Sequence, residues 1–217
     1  MGRNKYPEQT VEKILEASRD LFMEKGYDET SLQDIVSRLQ MTKGAIYHHF
    51  QSKEDILNRI LEIYYNDIAW FTQICENKNW NGRKKLEQVF FHELGNLEKQ
   101  EMDKMSFSRT IDPKMFFKEM QGSIKEVAPL LETLIEEGNK DGSLHTSYPK
   151  QVAEMLLILI NIWVNPGIFV VTEEEFKQKI FFMDALLTEQ GVPILSKELQ
   201  EKAFLYFRCV TKKGKNE

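Results

Sequence analysis

Cysteine, proline and long apolar runs are all scarce in this chain. Its two cysteines, Cys75 and Cys209, stand far apart in no pairing pattern, which argues against a disulfide framework and for a reducing, cytoplasmic compartment. Six prolines in 217 residues leave long stretches uninterrupted. The most apolar stretch, Val152 to Val164, spans 13 residues and includes Asn161, whereas a membrane helix needs about 20 apolar residues. It reads as a buried helix, and no membrane partner is expected. The opening MGRNKYPEQ has no apolar segment of an export signal, and Tyr6 fails the myristoylation pattern that begins with Gly2. There is no nucleophile elbow, glycine-rich phosphate loop or HExxH motif, so neither an enzyme nor a cofactor is expected. His48 and His49 are adjacent, hence about 100° apart on a helix, with no third ligand spaced to join them; no metal is expected.

What is present is a balanced globular composition, 41% hydrophobic and 29% charged, with a net charge of −5. An acidic chain repels phosphate at long range, but the deficit is unevenly placed. Residues 1–53 hold 8 basic and 8 acidic side chains, while residues 54–217 hold 21 and 26. Any contact with nucleic acid belongs at the front.

The apolar spacing predicts helices nearly throughout. Val11, Ile14, Leu15, Ser18, Leu21 and Phe22 follow the i, i+3, i+4, i+7 rhythm over Tyr6 to Lys25, with Pro7 suited to the first turn and Gly26 to the stop. Ser31 with Asp34 makes a capping box ahead of a short second helix. Thr42 caps a third helix through Phe50, and Ser52 with Asp55 opens a longer fourth. Further 3.6-residue periods run through 56–75, 86–102, 124–137, 151–164, 176–187 and 197–210, separated by turn chemistry such as NKNWNG, DP, GNKDGS, NPG and GVP. Phe169 to Thr172 is β-branched enough for a strand but has no partner.

The stretch MTKGAIYHHF, 41–50, carries the functional signal. Two short helices joined by a tight turn, the second led by small and polar residues, describe a helix-turn-helix whose second helix enters a major groove. Ile46 and Phe50 share a face for packing against Leu32, Ile35, Val36 and Leu39, leaving Lys43, Gly44, Tyr47 and His48 outside. Gly44 costs roughly 1 kcal/mol there against Ala. Close approach to a groove supplies a reason, and Ala45 suits a thymine methyl. Tyr47, His48 and His49 can donate to phosphate oxygens. Lys53, Thr42 and Ser31 stand at helix starts, where free N–H groups favour an anion.

These residues resemble the DNA-binding module of the TetR family of bacterial one-component transcription regulators. TSLQDIVSRLQMTKGAIYHHFQSKEDIL carries the resemblance within roughly Glu8 to Leu57, including Gly26-Tyr27, Thr30-Ser31, Gly44, Tyr47-His48-His49-Phe50 and Lys53. The resemblance implies an all-α homodimer with a three-helix DNA-binding head and a C-terminal helical body that binds a small effector and dimerises. It places Thr42, Lys43, Gly44, Ala45, Tyr47, His48 and Lys53 at the DNA, to which His49 is added from its neighbours and Ser31 from its capped helix start; the head is expected at 1–53 and the body at 54–217. The family usually has glycine in the turn where this chain has Gln40; a left-handed Gln costs about 1 to 2 kcal/mol.

Within the body, Val152–Val164 and IFFMDALL (180–187) are apolar on nearly every side and need partners on every side. A second subunit supplies them, through Leu156, Leu159, Ile160, Trp163, Phe181, Asp184 and Leu187 in a two-fold four-helix interface. MSFSRTIDPKMFFKEM, 105–120, gathers Met and Phe around a break at Asp112-Pro113, which suits a pocket for an apolar or aromatic effector. Phe107, Met115, Phe116 and Met120 are its candidates, joined by Trp70, Phe71, Phe90 and Trp163, with Arg109 to anchor an acidic group. The function expected is a ligand-responsive repressor of a pseudo-palindromic operator. The alternatives are a body that binds a protein partner instead, or an activator.

Overall fold

In the computed structural model, residues 7–66, 69–97, 99–101, 103 and 113–211 are described, and their regular structure is helical with no strand. The chain divides into two compact units, Met1–Ile68 and Ala69–Glu217.

In the first unit, α1 (Pro7–Lys25) buries Ile14, Leu15, Ala17, Leu21 and Phe22, the stripe its spacing predicts. Ser18 joins them because its hydroxyl donates to the Ile14 carbonyl at 2.6 Å, which satisfies a polar group that would otherwise be costly inside a core. The helix stops at Gly26, which takes the left-handed conformation (φ 87°) and returns its N–H to the Phe22 carbonyl. α2 (Leu32–Leu39) starts at the expected capping box: the Asp34 N–H donates to the Ser31 hydroxyl, and the Asp34 carboxylate accepts from the Ser31 N–H at 2.7 Å. α3 (Lys43–Tyr47) is capped by Thr42, whose hydroxyl accepts from the Ala45 N–H. It ends at Tyr47 rather than Phe50. Phe50 is nevertheless buried, because its N–H still bonds the Ile46 carbonyl and holds its ring on the apolar side.

α4 (Lys53–Asn66) buries Ile56, Leu57, Ile60 and Leu61 and packs on α1. Ser52 caps it by accepting from the Asp55 N–H, while the Asp55 carboxylate takes the Gln51 N–H, one residue before the position of the expected box. The period predicted over 56–75 is divided between α4 and α5 (Ala69–Glu76); residues 67 and 68 lie outside the described residues.

The second unit is built around α6 (Gly82–Gly95), α8 (Ala128–Asp141), α9 (Pro149–Ile158), α10 (Glu173–Glu189) and α11 (Lys197–Thr211), with α7 (Pro113–Gly122) entering α8 through a π-helical turn at Ser123–Val127. A second π-helical turn, Leu159–Trp163, ends α9. Leu86, Val89, Leu131, Leu134, Ile135, Val152, Ala153, Leu156, Phe176, Ile180, Leu187 and Phe207 share one core. α6 and α8 cross at two glycines: a Cβ on Gly82 would run into the Gly138 backbone. The crossing is fastened by the Gly82 N–H donating to Asp141 at 2.7 Å and by the Lys85–Glu137 ion pair at 2.7 Å. Lys85 is therefore buried, while its neighbours Arg83 and Lys84 are exposed and half-buried respectively. Among the described residues, no helix is long and apolar enough to cross a membrane.

Candidate nucleic-acid interface

α3 is held from behind and left open in front. Ile46 is 1% exposed; Ile35 on α2, which packs against α3, and Phe50 just past α3 are likewise buried. Leu32, Val36 and Leu39 contribute half-buried flanks. Lys43, Gly44, Tyr47 and His48 are exposed, Ala45 and His49 half-buried. A Cβ built on Gly44 meets nothing within 4 Å. The chain's own packing thus gives no reason for the missing side chain, although an alanine there would favour the helix by about 1 kcal/mol. Lys43 reaches back over the Tyr47 ring, 5.6 Å from its centroid, and the His48 and His49 rings meet edge to face at 5.0 Å. Cation, phenol and imidazoles thus form one polar surface beside the bare backbone of Gly44.

The turn feeding α3 answers the question Gln40 raises. Gln40 adopts the left-handed conformation (φ 52°, ψ 32°), the only such non-glycine among the described residues. Its N–H bonds the Ser37 and Val36 carbonyls. The tight turn is retained, and the chain carries the steric cost of a Cβ there.

Two ion pairs brace α2 on α1. Arg38 grips Glu24 with both guanidinium nitrogens, at 2.6 and 3.2 Å, and Lys25 lies 2.9 Å from Asp34. The Ser31 hydroxyl, together with Lys25, holds the Asp34 carboxyl far below the usual carboxylate range; the Arg38 hydrogen bond lowers that of Glu24. Ser31, offered by its sequence position as a phosphate donor, is exposed but uses its hydroxyl on Asp34 at 2.5 Å. Lys53 departs further from expectation. Its ammonium turns inward, 2.5 Å from the Tyr27 carbonyl, 3.4 Å from that of Asp28 and 4.1 Å from the Tyr27 ring centroid.

The body residues scatter more than their sequence pattern suggests. Phe71 is buried in the core, with Trp70, Phe90 and Trp163 half-buried against it. Phe116 and Met120 are half-buried on α7; Phe107, Arg109 and the Met115 side chain lie outside the described residues. His92 stacks on Trp70 at 4.1 Å; its enclosed Nδ1 makes no hydrogen bond among the described residues and lies 3.9 Å from a Glu93 carboxylate oxygen, and burial pulls its pKa down. Nothing in its sequence spacing marks it.

The expected subunit interface needs correction too. Leu156 (1% exposed) and Leu187 (0%) are consumed by the body's own core, so they present no surface to a second copy. Leu159, Ile160 and Trp163 are half-buried, as is Asp184, whose carboxylate accepts from Gln200 at 3.0 Å. Phe181 is exposed, together with Ile158 and Phe182, which the apolar spacing does not single out.

A capped helix-turn-helix on one compact unit, followed in the chain by a larger all-helical unit, is the architecture of a DNA-binding transcription regulator. Residues 14–60 match the family model described as bacterial regulatory proteins, tetR family, and residues 96–185 match the tetracyclin repressor-like C-terminal domain. The chain belongs to the TetR family, whose members are transcription regulators and not enzymes. It is 23% identical over 152 residues to IcaR of Staphylococcus aureus, a match spanning 70% of this chain and 81% of that one. It is also 33% identical over 87 residues to the transposon Tn10 TetC protein of Escherichia coli, spanning 39% of this chain and 43% of TetC. Among solved structures, a TetR-family regulator from Pectobacterium atrosepticum superposes with TM-score 0.61 at 20% identity, covering 88% of this chain and 98% of its own. A TetR/AcrR-family regulator from Thermobifida fusca gives TM-score 0.57 at 26% identity, covering 79% and 94%.

Proposed function

We propose that this regulator is a repressor that binds a pseudo-palindromic operator as a homodimer and leaves it when a small apolar or aromatic effector binds the body. The carrying observation is Gly44, exposed inside a helix where a side chain would meet only open space. The helix forgoes a stabilising Cβ at the position where a groove floor would collide with one. Lys43 and Ala45 beside it are the base-reading candidates, while Thr42, Tyr47, His48 and His49 make phosphate contacts; Ser31, whose N–H and hydroxyl both go to Asp34, is left out of that set. Repression is supported by IcaR, whose name describes a negative transcriptional regulator of a biofilm operon.

Dimerisation fits the exposed aromatic face of α10 and the end of α9, where Phe181, Phe182 and Ile158 are 51%, 59% and 43% exposed. Large apolar side chains left open at these positions would be covered by a second copy. Two-fold pairing puts the two recognition helices about one DNA turn apart. The effector acts by preferring one spacing of the two heads over another, and it shifts the equilibrium only by that preference. The DNA-binding region is the head, residues 1–53 by its sequence motifs, and the sensing and dimerising region is the remainder.

Gly44→Leu tests the reading. The variant should melt no lower than the parent, since its Cβ has open space, yet lose on the order of 100-fold in affinity for operator DNA, as a clash worth two factors of ten would give. Unchanged DNA affinity in a folded G44L protein would sink the assignment of this face. For the dimer, sedimentation showing only monomer at micromolar concentration, or a dimer undisturbed by Phe182→Lys, would remove the α9–α10 interface.

A further inference from the structure

Lys53 stands where α4 begins, and its side chain is engaged with the opposite end of the head's first helix. Past Lys25, the chain turns through Gly26, Tyr27 and Asp28, just beyond the last carbonyls of α1, which carry the negative pole of the helix dipole. That corner is tied down from three directions. The Thr30 hydroxyl, 1% exposed as a residue, bonds the Gly26 carbonyl at 2.7 Å and that of Leu21 at 3.2 Å. The Tyr27 ring lies edge-on to buried Phe22 at 5.2 Å. The Lys53 ammonium then joins the Tyr27 and Asp28 carbonyls while sitting 4.1 Å from the Tyr27 ring centroid.

We infer that Lys53 is a positioning residue: its ammonium pins the first turn of α4 to the α1–α2 corner, and so fixes the frame in which α2 and α3 present the DNA-facing surface. This rests on the reading of the Gly44 face as the DNA contact, and it replaces a phosphate-binding role for Lys53. A compact ammonium with three donors fits two converging carbonyls and a ring face; a planar guanidinium does not make the same set. Deleting a charge-assisted link of this kind loosens the mutual placement of α1 and α4, which otherwise pack through apolar faces that bury Ile14 and Leu21 on one helix and Ile56 and Ile60 on the other.

The position makes a distinctive prediction for salt dependence. Removing one phosphate-binding cation lowers the slope of log affinity against log salt by about 0.9. A positioning residue changes the intercept and leaves the slope. The experiment measures binding of the full chain to a mixed-sequence DNA duplex across a salt series for the parent, Lys53→Met, Lys53→Arg, Tyr27→Leu and the K53M/Y27L double variant, with thermal melts of each. Expected are an affinity loss of about tenfold for K53M at every salt concentration, as for the removal of one charge-assisted hydrogen bond, an unchanged slope, little rescue by K53R, and no further loss in the double variant beyond the larger single one. A slope lowered by about 0.9 in K53M with full rescue by K53R overturns the inference in favour of a direct phosphate role. Additive melting shifts for K53M and Y27L overturn it independently of any DNA measurement. Failure of the underlying reading looks different: G44L then binds the duplex as the parent does, whatever the Lys53 variants do.

Discussion

Two helical glycines, Gly44 in the head and Gly138 in the body, lack side chains for opposite reasons. At Gly138 a Cβ would strike the Leu144 side chain, and its backbone is what a Cβ on Gly82 would hit; the absence is explained inside the molecule, by two helices crossing closely. At Gly44 nothing lies within reach. A missing side chain that the fold does not require, on a face with Lys43, Tyr47 and His48, points outward to something that approaches closely. Gly122, also open, lies where α7 widens into a π-helical turn and so has a local setting of its own. The comparison separates what a glycine does for packing from what it does for recognition.

The largest expected effect breaks the packing half. Gly82→Val should destabilise the body by about 3 kcal/mol, through overpacking against backbone that cannot yield; a denaturation midpoint within error of the parent would mean that the α6–α8 crossing is looser than it looks. Gln40→Gly works in the opposite direction in the head. Removing the Cβ from a left-handed residue should stabilise by about 1 kcal/mol or somewhat more, read by thermal or urea unfolding. A loss of stability would show that the Gln40 side chain offsets its own strain. Gly44→Ala follows at about 1 kcal/mol of stabilisation, this time accompanied by weaker DNA binding, which sets it apart from Q40G.

The smallest effect is a contrast in pH dependence. In the head, Glu24 and Asp34 have folded pKa values below their ordinary ones, so their contribution is complete above those ordinary values and is lost as pH falls through the lowered ones. In the body, Glu173 behaves likewise, held at about 2 by its hydrogen bond with Arg208. Glu93 has the reverse sign. Burial raises its pKa despite Lys99 at 3.8 Å, so the body is favoured with Glu93 protonated and loses that increment as pH rises from the ordinary value of 4.5 through the raised one. Glu93→Gln should therefore raise the melting temperature modestly at neutral pH and flatten the rise otherwise seen on mild acidification. A melting temperature lowered by E93Q at neutral pH would show that the ion pair with Lys99 outweighs the burial.

Much of the head was legible because its determinants are local. Capping boxes act across three residues, the Pro7 and Gly26 boundaries across one turn, and the Ile46–Phe50 face across four. Gln40 stood out only against the glycine usual in the TetR family, and the backbone showed that it accepts the left-handed turn. The body was less legible: Leu156 and Leu187 share their periodicity with surface neighbours such as Ile158 and Phe182, and apolar spacing does not say which side faces the subunit's own core.

The sequence by itself determined the helical class, the capped starts of α2, α3 and α4, the stop of α1 at Gly26 and the bare polar face around Gly44, because each depends on residues within one or two turns. Tertiary structure alone decided that Lys53 points to the Tyr27 carbonyl 26 residues back in the chain, that Lys85 is buried against Glu137, and that His92 stacks on Trp70. Those outcomes turn on which distant backbone or ring arrives beside a flexible side chain, and a charge or imidazole with several rotamers takes whichever partner the packed helices bring within reach.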